Sequence, residues 1–144
     1  MLNEYTAGVS GTNRRYLSIM EEPDMLRKIC RGDMFYADLR PVIGSEQGGV
    51  RPVLVIQNDI GNMHSPTIIV AAMSGNLDKT KLPTHYQVNA YAGLKEESVV
   101  LLEQIRTIDK KRLKDYIGRL CRKDMDGIDQ CIILSLELNK CAIK

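Results

Sequence analysis

Two hydrophobic runs flank the segment PVIGSEQGGVRP, residues 41–52, and the polar groups of that segment are the ones whose chemistry stands out. Arg51 carries a planar fork that can donate two parallel hydrogen bonds to phosphate oxygens. Ser45 and Gln47 have donors and acceptors of the kind that read the edges of unstacked nucleic-acid bases. Gly48 and Gly49 lack a Cβ, so the chain can turn sharply there or let a ligand approach the backbone closely. A cation and several hydrogen-bonding groups thus sit on loop backbone between rigid elements, where binding and catalytic residues concentrate. Taken singly each has an ordinary reading as well, Arg51 as a surface charge at a strand edge and the loop residues as solvated polar groups.

The flanking runs must position that loop. Phe35, Ala37 and Leu39 alternate with Tyr36, Asp38 and Arg40, the period of a half-buried strand. Val53, Leu54, Val55 and Ile56 follow without a polar break, as in a strand covered on both faces. Arg51 precedes Pro52, which biases it towards extended backbone and projects its guanidinium from the start of that strand. Beyond a polar turn over 58–66, residues 67–73 form another apolar, β-branched run with Ser74 at its end, where a turn serine would also sit. A polar connection over 75–82 leads to strand candidates over 84–88 and 98–105. Short strands at this spacing, with no long helices between them, predict a small antiparallel barrel. Helices are expected only late. Asp109 can cap one over 109–120, with Leu113, Ile117 and Leu120 on its apolar face. A second, over 124–138, brings Met125, Ile128, Ile132, Ser135 and Leu136 together for packing on the barrel.

The run GDMFYADLRPVIGSEQGGVRPVLVIQND (32–59), followed by SPTIIVAAMSG (65–75), KLPTH (81–85) and SVVLLEQIRTIDKKRL (98–113), resembles the MazF/PemK family of bacterial toxins. The likeness covers residues 31 to about 138. It implies a mainly β fold, a small SH3-like antiparallel barrel with peripheral short helices and a C-terminal helix, over residues 29–144. It also implies a metal-independent, sequence-specific endoribonuclease, without a cofactor, that cleaves single-stranded mRNA to 2′,3′-cyclic phosphate and 5′-hydroxyl ends. The implied partners are RNA, a second copy of the chain in a homodimer, and an acidic MazE-like antitoxin.

Carried onto this chain, the resemblance assigns catalysis to Arg51 and Ser74 and RNA contacts to Ser45, Glu46, Gln47, Gly49 and Gln104. RNA can be cleaved by its own 2′-hydroxyl, so such an enzyme needs proton transfer and stabilisation of an anionic phosphorane rather than a metal. Arginine as a type stays protonated, its pKa being above about 12, so charge stabilisation is the role expected of Arg51, with general-acid transfer as an addition. Many family members have threonine where Ser74 stands; the hydroxyl survives, with a less restrained rotamer. Glu46 is expected to shape the loop or repel misplaced phosphate. The loop itself is expected to be mobile. Two rival readings are a CcdB-type toxin, which shares the barrel but poisons DNA gyrase by contact, and an inactive antitoxin-binding paralogue.

The remaining residues constrain the reading less. The chain has 144 residues, 44% of them hydrophobic, which suits one domain with a modest, mostly aliphatic core. With 20 basic and 18 acidic residues the formal charge is only +2, so a polyanion partner is not written in the overall balance. Lys110, Lys111, Arg112 and Lys114 could attract RNA backbone or simply solvate one helix face. Glu103, amid apolar neighbours, is expected to pair with a basic residue. His64 and His85 raise imidazole catalysis as an alternative to surface or strand placement. Cys30, Cys121, Cys131 and Cys141 form no C-x-x-C pair, so reduced, mostly packed thiols are expected. No apolar run reaches the roughly 20 residues of a membrane span, and a cytoplasmic protein is expected. Residues 1–28 lie outside the resemblance and read as an extension, either disordered or a loosely docked helix broken near Pro23.

Overall fold

The computed structural model describes residues 28–77 and 81–138; the expected N-terminal extension falls, but for Lys28, outside the described residues, as does Cys141. Six strands form one antiparallel sheet: β1 (Asp33–Asp38), β2 (Val50–Val55), β3 (Thr67–Ser74), β4 (His85–Val88), β5 (Ser98–Asp109) and β6 (Leu113–Arg119), in the order β4-β5-β3-β2-β1-β6. Helix α1 (Asp59–His64) joins β2 to β3, and α2 (Arg122–Leu136) follows β6.

Both faces of the sheet are buried. Met34, Leu54, Ala71, Met73, Val100 and Leu102 pack with Ile128 and Cys131 of α2 on one side. Phe35, Ala37, Val53, Val55, Val70 and Ala72 pack on the other. Val53, Leu54 and Val55 are each fully enclosed, which is why this strand reads as an unbroken apolar run. Leu113 and Tyr116 join the second cluster, the Tyr116 ring meeting Phe35 edge to face with centroids 5.3 Å apart.

The strands expected from the sequence are present, β5 running four residues past the expected end at 105. The first late helix is not. Asp109 does accept from Lys111 N at 2.8 Å, but it caps only a single 3-10 turn, Lys110–Arg112, after which the chain becomes β6 and pairs with β1. Two register shifts interrupt that pairing, between Met34 and Phe35 and between Phe35 and Ala37. Each shift breaks the two-residue alternation, so the apolar spacing of Leu113, Ile117 and Leu120 imitates a helix. In fact Leu113 faces one cluster and Ile117 and Leu120 the other. The polar turn expected over 58–66 contains the short helix α1, because the Asn58 side chain accepts from Gly61 N at 2.8 Å and so supplies a cap. Helix α2 starts two residues earlier than expected and ends at Leu136, two residues earlier than expected, capped by Glu137, whose backbone is left-handed. Ile128 on α2 is buried, with Met125 and Ile132 packed beside it, and the Ser135 hydroxyl donates to Leu102 O, whereas Leu136 is exposed.

The end strands β4 and β6 are not hydrogen-bonded to each other; close packing joins them. A Cβ on Gly93 would strike the carbonyl oxygen of Ile117, and one on Gly118 that of Ala92, so the turn after β4 lies backbone to backbone on β6. A latch secures this closure: Tyr86 OH donates to Asp124 Oδ1 at 2.8 Å, Tyr91 OH donates to Asp124 Oδ2, and Tyr91 OH accepts from Cys121 N at 3.1 Å. Burial, reinforced by the hydrogen bond to Asp124, pushes the Tyr86 hydroxyl up to about 12. Burial acts to raise the Asp124 carboxyl, but the bonds from Tyr91 and Tyr86 outweigh it and hold the group below the usual carboxylate value. Cys121 beside the latch is exposed, unlike the packed thiol expected, while Cys131 is buried and Cys30 half-buried; all three are free thiols.

Two outcomes follow for stability. Gly118→Ala should cost roughly 2 kcal/mol, read from urea unfolding, because backbone rather than a pliable side chain must move. Tyr86→Phe should cost about 1 kcal/mol at pH 7, the bond being to a charged but partly solvated carboxylate. The raised tyrosine contributes fully below pH 10 and loses that contribution as pH rises through about 12, so the difference between wild type and Tyr86→Phe should shrink over that window.

Candidate active site

The β1–β2 hairpin carries the 39–49 loop, closed at its neck by Leu39 N donating to Gly49 O at 3.0 Å. Arg51 follows at the start of β2, opposite Ala37 of β1. It is half-buried, and its Nε donates to Gly48 O at 2.7 Å. That bond orients the guanidinium and leaves the terminal nitrogens as its donors towards an anion.

The β2–β3 ladder places Arg51 relative to Ser74. Val55 pairs with Val70, Leu54 with Ala71 and Val53 with Ala72. The hydrogen-bonded pairing ends at Val53–Ala72; continued two residues further, the same register would bring Arg51 opposite Ser74, on the face shared by Val53 and Ala72. Directly opposed side chains in antiparallel strands have Cβ atoms about 5 Å apart. Ser74 is the last residue of β3 and only 2% exposed. Its Oγ accepts from Asn76 N at 3.2 Å, the ordinary work of a serine closing a strand, and its O–H remains a donor. Glu96 leans over the adjacent turn: a Cβ on Gly75 would lie 2.6 Å from Glu96 Oε1. No sequence pattern marked Glu96, since it comes from a polar connection between strands.

The loop is more firmly held than expected. Glu46 is a shaping residue, with Oε1 accepting from Ile43 N at 2.8 Å and its own N donating to Ile43 O at 3.2 Å. Gln47 is buried, and its backbone N donates to Gln104 Oε1 at 2.8 Å. Arg106 Nη1 donates to Leu39 O at 3.2 Å, and Arg112 Nη1 to the carbonyls of Asp38 and Arg40, so two arginines clamp the strand where it enters the loop. Arg112 had been legible only as part of a basic cluster. Lys110 is likewise engaged, its Nζ donating to Asn62 O, and burial lowers its ammonium's pKa, while Lys111 and Lys114 stay exposed.

Ser45, Glu46, Gln47 and Gln104 line one cavity of about 390 Å³, with Ala72 among its walls. Gly49, Arg51 and Ser74 are not part of that lining, although Ala72 lies two residues before Ser74 on the same strand face. Glu103 has the basic partner expected of it, His85 Nε2 at 2.7 Å, with Thr84 Oγ1 at 3.4 Å, but it faces outwards. His85 Nδ1 accepts from Leu82 N at 3.3 Å, so both ring nitrogens are engaged and the imidazole fastens the start of β4 to its neighbours. Among the described residues no three histidine, cysteine or carboxylate side chains gather as a metal site, and no helix is long and apolar enough to cross a membrane.

Residues 30–136 match the profile of PemK-like, MazF-like toxins of type II toxin-antitoxin systems. The chain is 60% identical over 109 residues to endoribonuclease EndoA of Bacillus subtilis (strain 168), covering 75% of this chain and 94% of that protein. Solved structures share the fold. MazF (Form-I) from Deinococcus radiodurans gives a TM-score of 0.67 at 20% identity, over 77% of this chain and 98% of that one. An endoribonuclease from Mycobacterial species in complex with its cognate antitoxin gives 0.64 at 23% identity, over 76% and 96%.

Proposed function

This chain belongs to the PemK-like, MazF-like toxins of type II toxin-antitoxin systems, and from that premise we propose that it is an endoribonuclease, cutting single-stranded mRNA at a short sequence without a metal. The observation that supports the reading is the β2–β3 register, which, continued two residues beyond its last pair, Val53–Ala72, brings Arg51 and Ser74 to the same face beside a loop rich in hydrogen-bonding groups. The 60% identity to an endoribonuclease supports the same activity.

In this reading the 2′-oxygen of RNA attacks the adjacent phosphorus, the P–O5′ bond breaks, and the products are a 2′,3′-cyclic phosphate and a 5′-hydroxyl. The 2′-hydroxyl gives up its proton to solvent and the departing 5′-oxygen takes one up. In this reading Arg51 donates its terminal nitrogens to the non-bridging oxygens, where negative charge accumulates, and as general acid passes to the leaving oxygen a proton that it recovers from solvent. Ser74, aligned by the amide of Asn76, donates its O–H to the same phosphate. Ser45, Glu46, Gln47, Gly49 and Gln104 form the RNA-recognising side, in contact or by shaping what makes contact. Residues 29–144 make up the toxin domain and 1–28 an extension to it. The domain acts as a homodimer in the cytoplasm and is silenced by a MazE-like antitoxin, in line with relatives solved in complex with one.

End-labelled RNA incubated with the protein in excess EDTA should be cut, and Arg51→Ala should lower the rate about a hundred- to a thousandfold, the usual loss for one transition-state donor. Intact RNA accompanied by arrested gyrase would contradict the reading and favour a CcdB-type toxin. RNA that is cut only when a divalent metal is restored would contradict its metal independence.

A further inference from the structure

Between Ala71, which pairs with Ile105, and Ala72, which pairs with Leu101, the β3–β5 ladder skips three residues of β5. Residues 102–104 therefore form a bulge beside the cavity, and each is tied to a different part of the molecule. Leu102 is fully buried in the core, its N donates to Thr84 O at 3.0 Å, and its O accepts from Ser135 of α2 at 2.7 Å. Glu103 is held by His85 on the outer side at 2.7 Å. Gln104 reaches the loop: Oε1 accepts from Gln47 N at 2.8 Å, and Nε2 lies 3.5 Å from Ser45 O.

Both ends of the Gln104 amide are turned to loop backbone, which leaves one N–H and one lone pair for any other partner. We infer that Gln104 is a positioning residue, which presets the 43–49 loop through its backbone so that Ser45 and Gln47 meet RNA in a fixed arrangement. This rests on the nuclease reading above and changes the part Gln104 plays in it, from reader of bases to setter of the reader. The physical rationale is entropic. Loop residues ordered before binding need not be ordered by the ligand, so selectivity comes from donors already in place. A bulge is suited to the task because it releases a strand residue from ladder pairing and redirects its side chain. Strand, helix and His85 anchor that bulge, so it is a rigid post from which the loop is hung.

The test compares wild type, Gln104→Met, Gln104→Glu and Arg51→Ala. Methionine keeps the length of the side chain and removes both bonds; glutamate keeps the acceptor for Gln47 N and removes the donor to Ser45 O. The Gln47 amide should exchange with deuterium about tenfold faster in Gln104→Met than in wild type and stay protected in Gln104→Glu and Arg51→Ala. On a randomised RNA pool Gln104→Met should flatten the sequence preference about tenfold, through a rise in KM that exceeds any fall in kcat. Wild-type exchange at Gln47 in Gln104→Met would overturn the inference whether or not the protein cuts RNA. So would a loss confined to kcat with selectivity intact, which would mark Gln104 as a group touching the reacting phosphate. If wild type cuts no RNA the nuclease reading fails, and the Gln47 exchange still decides whether Gln104 holds the loop.

Discussion

The register of β2 against β3 is the constraint on which the rest depends. A slip of one residue between these strands would turn Arg51 and Ser74 to opposite faces of the sheet. What prevents the slip is burial on both sides. Val53, Val55, Val70 and Ala72 lie in one cluster, Leu54 and Ala71 in the other, and each is 2% exposed or less. The six are three valines, two alanines and one leucine, and a slip would move residues of one size into sites packed for another, leaving cavities on one side and clashes on the other. The face on which Arg51 and Ser74 lie, two residues beyond the last ladder pair, is thus fixed by apolar packing within the ladder.

Irregularity does the complementary work. Regular ladders give the sheet its stiffness, but the groups that shape the site come from places where pairing breaks. The bulge at residues 102–104 sends Gln104 to the loop. The chain after Asp109 turns through Arg112, whose guanidinium binds carbonyls at the loop's entrance. The closure that joins the two ends of the sheet likewise uses glycines at positions where any Cβ would collide with backbone, and a carboxylate shared by two tyrosines. Loop 39–49 is consequently fastened from β5, from the turn before β6 and from within itself through Glu46. It is shaped by the protein before any ligand arrives.

How much of this was legible in the sequence follows from the range of the interactions concerned. Strands with clean alternation, or with an unbroken apolar run bounded by turn residues, declared themselves, and so did the placement of Arg51 at a strand start and Ser74 at a strand end. The antiparallel, barrel-like architecture was implied by strand spacing and by the family resemblance; the order of its strands was not. The β6 segment reads as a helix because two register shifts scramble its period, and α1 escapes a sequence reading because a capping asparagine starts a six-residue helix within a polar turn. The roles of Gln104, Arg106 and Arg112 depend on contacts with residues 57 to 74 positions away. No local pattern encodes such contacts, and the basic cluster around Arg112 even suggested a different purpose. Glu103 shows the middle case: its need for a partner was evident from residue type, its partner and outward direction were not.

The central claim is that Arg51 and Ser74 act together on one phosphodiester. A double-mutant cycle on RNA cleavage tests it most directly, with kcat/KM measured for wild type, Arg51→Ala, Ser74→Ala and the double variant. Groups serving a single transition state lose little more when the second is removed after the first, so the double variant should be nearly as active as the worse single one. Losses that multiply would mean that the two residues act independently, and the shared site would have to be abandoned.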